Sequence, residues 1–305
     1  MERAADAAAH YTPVRRELVG HAYRMTGSVA TAEDIAQEVF LRWNAADRAR
    51  VEVPRAWMLK AAARLCLDHL KSARVRRERY VGPWLPEPVL DSGDAPQHAA
   101  HLRAEDVSVA FLLTLQRLSP AERAAFILHD LFDTPFAEIA ALLGRTEPGC
   151  RQLAARARAR LGRDAAPRSG PPVDEAEAQR IARAFHAASR SGDEAALRDL
   201  LAHDAVLHTD SGGARPAALR PILGAERIGR FFAGVVRKSG SPAPPTPHPA
   251  RINGLPGYVT LERDGLPQTT ALELRGGLIA AIYVVRNPAK LAAVRTALGG
   301  RTASG

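Results

Sequence analysis

Four side chains near the middle of the chain carry its most recognisable chemistry. Arg151, Gln152, Arg156 and Arg158 crowd one basic stretch, with Thr146 just ahead of it. A glutamine amide can pair with an adenine edge, and a guanidinium can fork onto a guanine edge or a phosphate. The chemistry is therefore non-covalent recognition of a nucleic acid, and it needs these side chains on one face of a helix. At about 100° per residue, Cys150, Leu153, Ala154, Ala157 and Leu161 share one side, which must pack. Gln152, Arg156 and Arg163 fall opposite, with Arg151 and Arg158 on the flanks.

The element that would position them is a helix-turn-helix over residues 135–161. A first helix, 136–143, carries Ile139, Ala140, Leu142 and Leu143. Gly144 stands where a helix end favours a left-handed residue. Thr146 can cap the second helix, with Pro148 tolerated in its first turn. A short basic helix after a tight turn is the form of a DNA-recognition helix. The same pattern also fits a repressor, or a solvated basic helix in an ordinary bundle.

A second group of residues could do covalent chemistry. His203, Asp204, His208, Asp210 and Tyr283 include acid/base types, and catalysis needs such a pair at pocket depth. His203-Asp204 also reads as a cap or turn ahead of a strand, and the direction of His208 is open. The only two cysteines, Cys66 and Cys150, form no CxxC and phase with apolar neighbours. They read as packed thiols. Nothing in the sequence supports a metal or another cofactor.

The 305 residues suffice for two or three domains. Forty-two Lys and Arg stand against thirty-three Asp and Glu, giving a formal charge of +9. That balance favours an acidic partner such as nucleic acid. No apolar run approaches the ~18 residues that span a bilayer, and the first thirteen residues lack an apolar signal core. A cytoplasmic protein without a membrane partner is expected.

In chain order, residues 1–80 read as an all-helical unit. Residues 13–25 are amphipathic, Gly27-Ser28 ends them, and residues 31–34 resemble a capping box opening the next helix. On that helix Ala32, Ile35, Ala36, Val39 and Trp43 share a face. Asp34, Gln37, Glu38 and Leu41 share the opposite one. A leucine among polar residues on an outward face suits an apolar anchor for another protein. The helix after Pro54 has a core stripe of Leu59, Ala63, Cys66, Leu67 and Leu70. A second stripe holds Trp57, Lys60, Arg64, Asp68 and Lys71, with Arg74 in the basic tail. Basic residues with an aromatic available for stacking suit single-stranded or melting DNA.

Residues 81–98 form a proline-rich linker too apolar to be a pure spacer, so part of it should dock on a domain. Helices resume over 99–163, where Ser119-Pro120-Ala121-Glu122 is a helix start. Residues 164–174 are a second linker. Beyond it come helices 175–190, 193–201 and 227–238, a strand-like segment from 205, and a proline loop over 242–249. Alternating segments 257–263, 269–275 and 278–286 follow, with hairpin turns at Asp264-Gly265 and Gly276-Gly277. Helices followed by a curling antiparallel sheet predict an α+β domain at 175–291, before a tail at 292–305.

With these elements placed, the chain resembles bacterial sigma factors of the extracytoplasmic-function class. Residues 32–43 (AEDIAQEVFLRW) look like sigma region 2.2, and the resemblance makes Asp34, Gln37, Glu38 and Leu41 contacts to core polymerase. Residues 55–71 are similar to regions 2.3 and 2.4, which melt and read the minus-10 element. Residues 118–161 resemble region 4, which reads the minus-35 element. The fold implied is two all-α sigma domains followed by an α+β SnoaL-like cone.

Three short motifs extend the resemblance to the sigma group with that fused domain. Trp84, Leu85, Pro86, Glu87 and Pro88 match its WLPEP linker motif. Asp210, Ser211, Gly212, Gly213, Ala214 and Arg215 resemble DGGGK, with serine for one glycine and the basic residue one place late. Asn287, Pro288, Ala289, Lys290 and Leu291 resemble NPDKL, with alanine for aspartate. The resemblance implies that the cone and tail modulate activity from within the chain. Its implied partners are promoter DNA and the RNA polymerase core, through the β′ clamp helices and the β flap. A small-molecule ligand in the SnoaL-like domain is a further candidate partner. The alternative readings are a ligand-sensing DNA-binding regulator and a cyclase or isomerase fused to a DNA-binding unit.

Overall fold

Capping chemistry and apolar periodicity set the helices. The computed structural model describes residues 2–77, 80–90, 108–164, 173–239 and 245–302. Its described residues divide into two units, 2–77 with 110–164, and 80–90 with 108–109 and 173–302. The expected helix over 99–107, linker residues 91–98 and most of the 164–174 linker lie outside the described residues.

The first unit is all helical: α1 (Glu2–Thr26), α2 (Val29–Ala45), α3 (Pro54–Arg77), α4 (Val109–Gln116), α5 (Pro120–Phe126), α6 (Phe136–Leu143) and α7 (Glu147–Asp164). α1 begins eleven residues before the expected start and contains Pro13. Pro13 is exposed while Ala7 is fully buried, so packing of the first turns outweighs the lost backbone bond. Gly27 ends α1 at φ 73°, its N–H donating to Tyr23 O at 2.7 Å. The cap of α2 is Ser28, whose hydroxyl accepts from the Thr31 amide at 3.2 Å. Thr31 is thus the donor of that cap and not its acceptor. At α5 the expected start is a full capping box between Ser119 and Glu122, with Pro120 in the first turn.

The second unit has α8 (Glu175–Ser191), α9 (Glu194–Leu200), α10 (Ala225–Ser239) and α11 (Ala292–Thr302). Its sheet has six strands: β1 (Leu201–Asp210), β2 (Ile222–Leu223), β3 (His248–Ile252), β4 (Leu255–Leu261), β5 (Pro267–Arg275) and β6 (Leu278–Val285). Their order is β2-β1-β6-β5-β4-β3. Helices α8, α9 and α10 supply one side of a core that includes Phe185, Leu197, Ile228, Leu207, Leu272 and Ile282. This is the expected α+β class, with two corrections. β1 pairs with β6 in parallel, a geometry that a long crossover permits and a tight turn does not. The end of the proline loop is strand β3, at the sheet edge. An edge strand tolerates Pro249 because the amide it lacks has no ladder partner to serve.

Candidate nucleic-acid interface and docked linker

The helix-turn-helix is built by its own turn. Gly144 closes α6 in the left-handed region at φ 61°, and the Gly149 amide donates to the Thr146 hydroxyl at 3.3 Å. Cys150, Leu153 and Ala154 are buried with Ile139, Ala140, Ala125 and Leu128, and Ala157 is buried as well. Burial, ahead of the neighbouring Arg145 and Glu147 charges, pushes the Cys150 thiol up. Burial likewise raises Cys66, so both stay protonated.

Arg151, Gln152, Arg156 and Arg158 are all exposed on α7. The three arginines are not idle. Arg151 pairs with Glu147 and lies over the Phe136 ring. Arg158 forks onto Asp130 at 2.6 and 3.2 Å. Arg156 stands 3.5 Å from Glu122, which also accepts from Arg160 at 2.8 Å. Burial opposes ionisation of Glu122. The Ser119 amide and hydroxyl, with Arg160 and Arg156, outweigh it and hold the carboxyl below its usual range. The arginines of this face are therefore oriented by Glu147 of the same helix and by Glu122 and Asp130 of the preceding elements.

On α2 the two faces separate cleanly. Ala32, Ile35, Ala36, Val39 and Trp43 are buried. Asp34, Gln37 and Leu41 are exposed, Leu41 by 53%. Glu38 is half-buried and accepts from Arg42 at 2.8 Å. On α3, Lys60, Arg64 and Lys71 are exposed, and Lys71 pairs with Asp68 at 3.1 Å. Trp57 is half-buried against the Trp43 ring, 5.3 Å between centroids. Arg74 lies outside the residues whose side chains are described.

These two helical halves share a core within the first unit. Ala63 of α3 is buried among the helix-turn-helix residues Ile139, Cys150 and Leu153. Arg123 of α5 is buried and donates to Met25 O at 2.5 Å. His21 of α1 meets the Phe132 ring edge-on at 5.2 Å. Burial, then the Arg24 charge, push His21 down to about 3. Lys60 lines a cleft of about 190 Å³ whose other wall carries Glu138 and Leu142.

In the second unit the linker residues 80–90 are docked. Leu85, Pro86, Glu87, Pro88 and Val89 are buried, and Trp84 is half-buried. The anchor is Asp210, at the end of β1, with no solvent exposure. Its carboxylate accepts from the Leu85 amide and Lys290 Nζ, each at 2.7 Å. It also accepts from the Tyr80 hydroxyl at 2.5 Å and the Gly212 amide at 3.1 Å. Lys290 donates as well to Leu85 O at 2.5 Å and sits 4.0 Å from the Trp84 ring centroid. Asn287 donates to the Tyr80 hydroxyl at 2.8 Å, and its own carbonyl takes the Ala289 amide at 3.0 Å. Burial, then the Asp210 contact, push the Tyr80 phenol up.

The glycines of this turn are there for space. Gly212 has φ 58°, and a Cβ on it would stand 2.5 Å from Asn287 Nδ2. Gly213, at φ 78°, would bring a Cβ to 3.1 Å from Val81. Leu291 is buried below the tail turn that begins at Pro288. Arg215, by contrast, takes no part in holding the linker. It pairs with Asp264 at 2.8 Å and donates to Pro267 O at 3.0 Å.

Two docking residues carry no mark in the motifs. Tyr80 precedes them, and Asn253 belongs to the β3–β4 turn. Asn253 has φ 50°, its side chain accepts from the Val89 amide at 3.1 Å, and its own amide donates to Val89 O at 2.8 Å. Asn253-Gly254 is a strong hairpin signal in the sequence, although that signal says nothing of the linker.

A cavity of about 510 Å³ opens in the second unit, lined by Phe185, Phe232, Tyr258, Arg190, Glu262 and Arg286 among others. None of the five acid/base candidates lines it. His203 and Asp204 are exposed at the register shift of β1, with Asp204 paired to Arg275. His208 stacks on Tyr283, and Tyr283 donates to Glu273 at 2.7 Å. Asp210 holds the linker. Among the described residues no group of acids, histidines and cysteines has metal-site geometry, and no helix is long and apolar enough to cross a membrane.

An exposed basic helix after a tight turn, a separate polar face that exposes Leu41, and a further α+β unit are the features of a multidomain helix-turn-helix protein. Comparison with known proteins narrows this class. The family model for sigma-70 region 2 matches residues 10–76, and that for sigma-70 region 4 matches residues 108–161. The ECF RNA polymerase sigma factor SigJ of Mycobacterium tuberculosis is 40% identical over 288 residues, covering 92% of this chain and 91% of SigJ. The probable ECF RNA polymerase sigma factor SigI of the same species is 34% identical, covering 94% and 95%. The crystal structure of M. tuberculosis SigJ matches with TM-score 0.74 and 36% identity, covering 94% of this chain and 98% of that one. The chain belongs to the extracytoplasmic-function RNA polymerase sigma factors.

Proposed function

We propose that the protein directs promoter-specific transcription initiation, and that its SnoaL-like unit controls this in cis by holding the linker. Asp34, Gln37, Glu38 and Leu41 dock on core polymerase at the β′ clamp helices. Trp57, Lys60, Arg64, Lys71 and Arg74 engage the minus-10 element. Thr146, Arg151, Gln152, Arg156 and Arg158 engage the minus-35 duplex, with the β flap supporting this half. The protein supplies recognition, and polymerase supplies the bond-forming chemistry. The fused unit belongs to the group marked by the WLPEP-, DGGGK- and NPDKL-like motifs.

Geometry supports a controlled, closed state. The elements named minus-10 and minus-35 lie about 25 base pairs apart, roughly 80 Å at 3.4 Å per pair. Helices that share a core, as α3 and α6 do through Ala63 and Ile139, cannot reach both at once. The halves must part. They are joined by the 31 residues between Arg77 and Val109, which reach about 105 Å only when almost fully extended. Docking residues 80–90 on Asp210, Lys290 and Asn253 fixes part of that tether, so the SnoaL-like unit sets when the halves can separate.

The single observation that carries this reading is the pairing of Asp210 and Lys290 around the Leu85 backbone. Run-off transcription with core polymerase tests it, comparing the full chain, a version ending before Asn287 and one ending near Arg163. The full chain is expected to initiate, and removal of the tail is expected to change the output. Equal output from all three would overturn the cis control. Failure of all three to bind core polymerase would overturn the sigma reading itself.

A further inference from the structure

The last residues of β1 and the residues just after β6 serve two sides of the sheet. Side chains on a strand alternate between faces. Thr209 lines the 510 Å³ cavity while Asp210 holds the linker, and Arg286 lines the cavity while Asn287 binds Tyr80. The backbones are joined there too, since the Arg286 and Asn287 amides both donate to Asp210 O, at 2.6 and 3.1 Å.

The cavity has two chemically distinct parts. Phe185, Phe231, Phe232, Val235, Val236 and Val284 give it an apolar wall. Arg190, Arg215 and Arg286 stand in its polar part, and among the described lining residues the acids are Glu262 and Asp264. Lys238 and Arg263 add two more positive charges to the lining. Arg190 is engaged by Glu262 at 3.1 Å and Arg215 by Asp264 at 2.8 Å. Among the described residues Arg286 has no ion pair of its own, although Glu262 and Asp264 act on it at longer range. It donates to Pro216 O through Nη1, and its buried Nε has no acceptor among the described residues. Burial, then the Arg215 charge, pull its pKa below the ordinary value. A half-buried guanidinium whose buried Nε lacks an acceptor, standing beside an apolar chamber, calls for an anion that carries a hydrocarbon body. At the roughly 30 Å³ that one water takes in the liquid, the space holds about seventeen water-sized groups.

We propose that this cavity binds an amphipathic carboxylate, its head group on Arg286 and its apolar body along Phe185, Phe232 and Val236. The inference rests on the reading that the SnoaL-like unit is regulatory, and it names the chemistry that would reach that unit. Calorimetric titration of the full chain with decanoate and with decanol, each below its aggregation concentration, tests it. Decanoate is expected to bind at least about tenfold more tightly, as a charge-assisted hydrogen bond implies. Arg286→Met should bring the two within about twofold. Val236→Trp, which fills the chamber and leaves the arginines, should abolish binding of both. Equal affinity of acid and alcohol for the unaltered chain, or binding of neither, would overturn the proposal. Either result would leave the linker mechanism standing, because that is read by transcription.

Discussion

Lys290 reaches Asp210 across 80 residues of sequence, at 2.7 Å, and the carboxylate it meets has no contact with solvent. A buried carboxylate is tolerated only when paired and hydrogen-bonded. Of the four groups that donate to it, the Gly212 amide and Lys290 Nζ belong to the α+β fold, and the Tyr80 hydroxyl and Leu85 amide belong to the linker. Undocking the linker therefore strips half the donors from this buried carboxyl group. That makes docking favourable and also makes it conditional on the ion pair.

Lys290→Met should loosen the linker by about 3 kcal/mol, the low end for breaking a buried pair, because three neutral donors remain. Hydrogen exchange at the Leu85 amide checks this. Protection should fall by roughly two powers of ten, while amides in the middle of β5 keep theirs.

Gly212→Ala and Gly276→Ala separate backbone strain from collision. Both glycines have φ 58°, but nothing lies within 4 Å of a Cβ at Gly276, whereas Asn287 Nδ2 lies 2.5 Å from one at Gly212. Gly276→Ala should cost about 1 kcal/mol. Gly212→Ala should cost clearly more, and its melting curve should show the larger shift.

His21 makes the contact between α1 and the Phe132 turn sensitive to acid. Its folded pKa is pushed down to about 3 from an ordinary 6.5. Above pH 6.5 both states are neutral and its contribution is whole. As the pH falls through 6.5 the unfolded chain takes up a proton that the folded one refuses. Stability then declines by about 1 kcal/mol per pH unit down towards pH 3. His21→Phe should flatten this slope in thermal melts between pH 7 and pH 5. An unchanged slope would mean that other groups dominate the acid sensitivity.

Arg156→Ala should weaken promoter binding by about 1–3 kcal/mol and alter sequence preference if this side chain reads a base. A uniform loss across sequences, with the salt slope reduced by about one, would make it a phosphate contact. Fluorescence anisotropy on minus-35 duplexes at two salt concentrations distinguishes the two roles.

Much of this arrangement was legible from local rules. The faces of α2 and α7 follow from helical phase, because Trp43 and Val39 turn inward while Gln37 and Gln152 turn out. The Ser119 capping box is written in four consecutive residues. What was not legible depends on distant partners. The parallel pairing of β1 with β6 is a choice between strands nearly seventy residues apart. Strand β3 hid in a proline-rich stretch because an edge position removes the usual penalty. Tyr80 and Asn253 look ordinary until Asp210 and Val89 are beside them. The motifs pointed to Asp210 and Lys290, but they also suggested Arg215 as the cation of the turn. In the fold Arg215 serves the cavity, and Lys290 supplies the charge.

In the proposed mechanism a closed pair of helical halves opens on the promoter. Cys66 and Cys150 are buried, so spin labels on Thr12→Cys and Ala141→Cys, both exposed, report the separation of α1 from α6 by double electron–electron resonance. The free full chain should give one short distance. Core polymerase with promoter DNA should move it to several tens of ångströms, towards the roughly 80 Å between the elements. An unchanged short distance in a complex that initiates transcription would mean that the halves do not part.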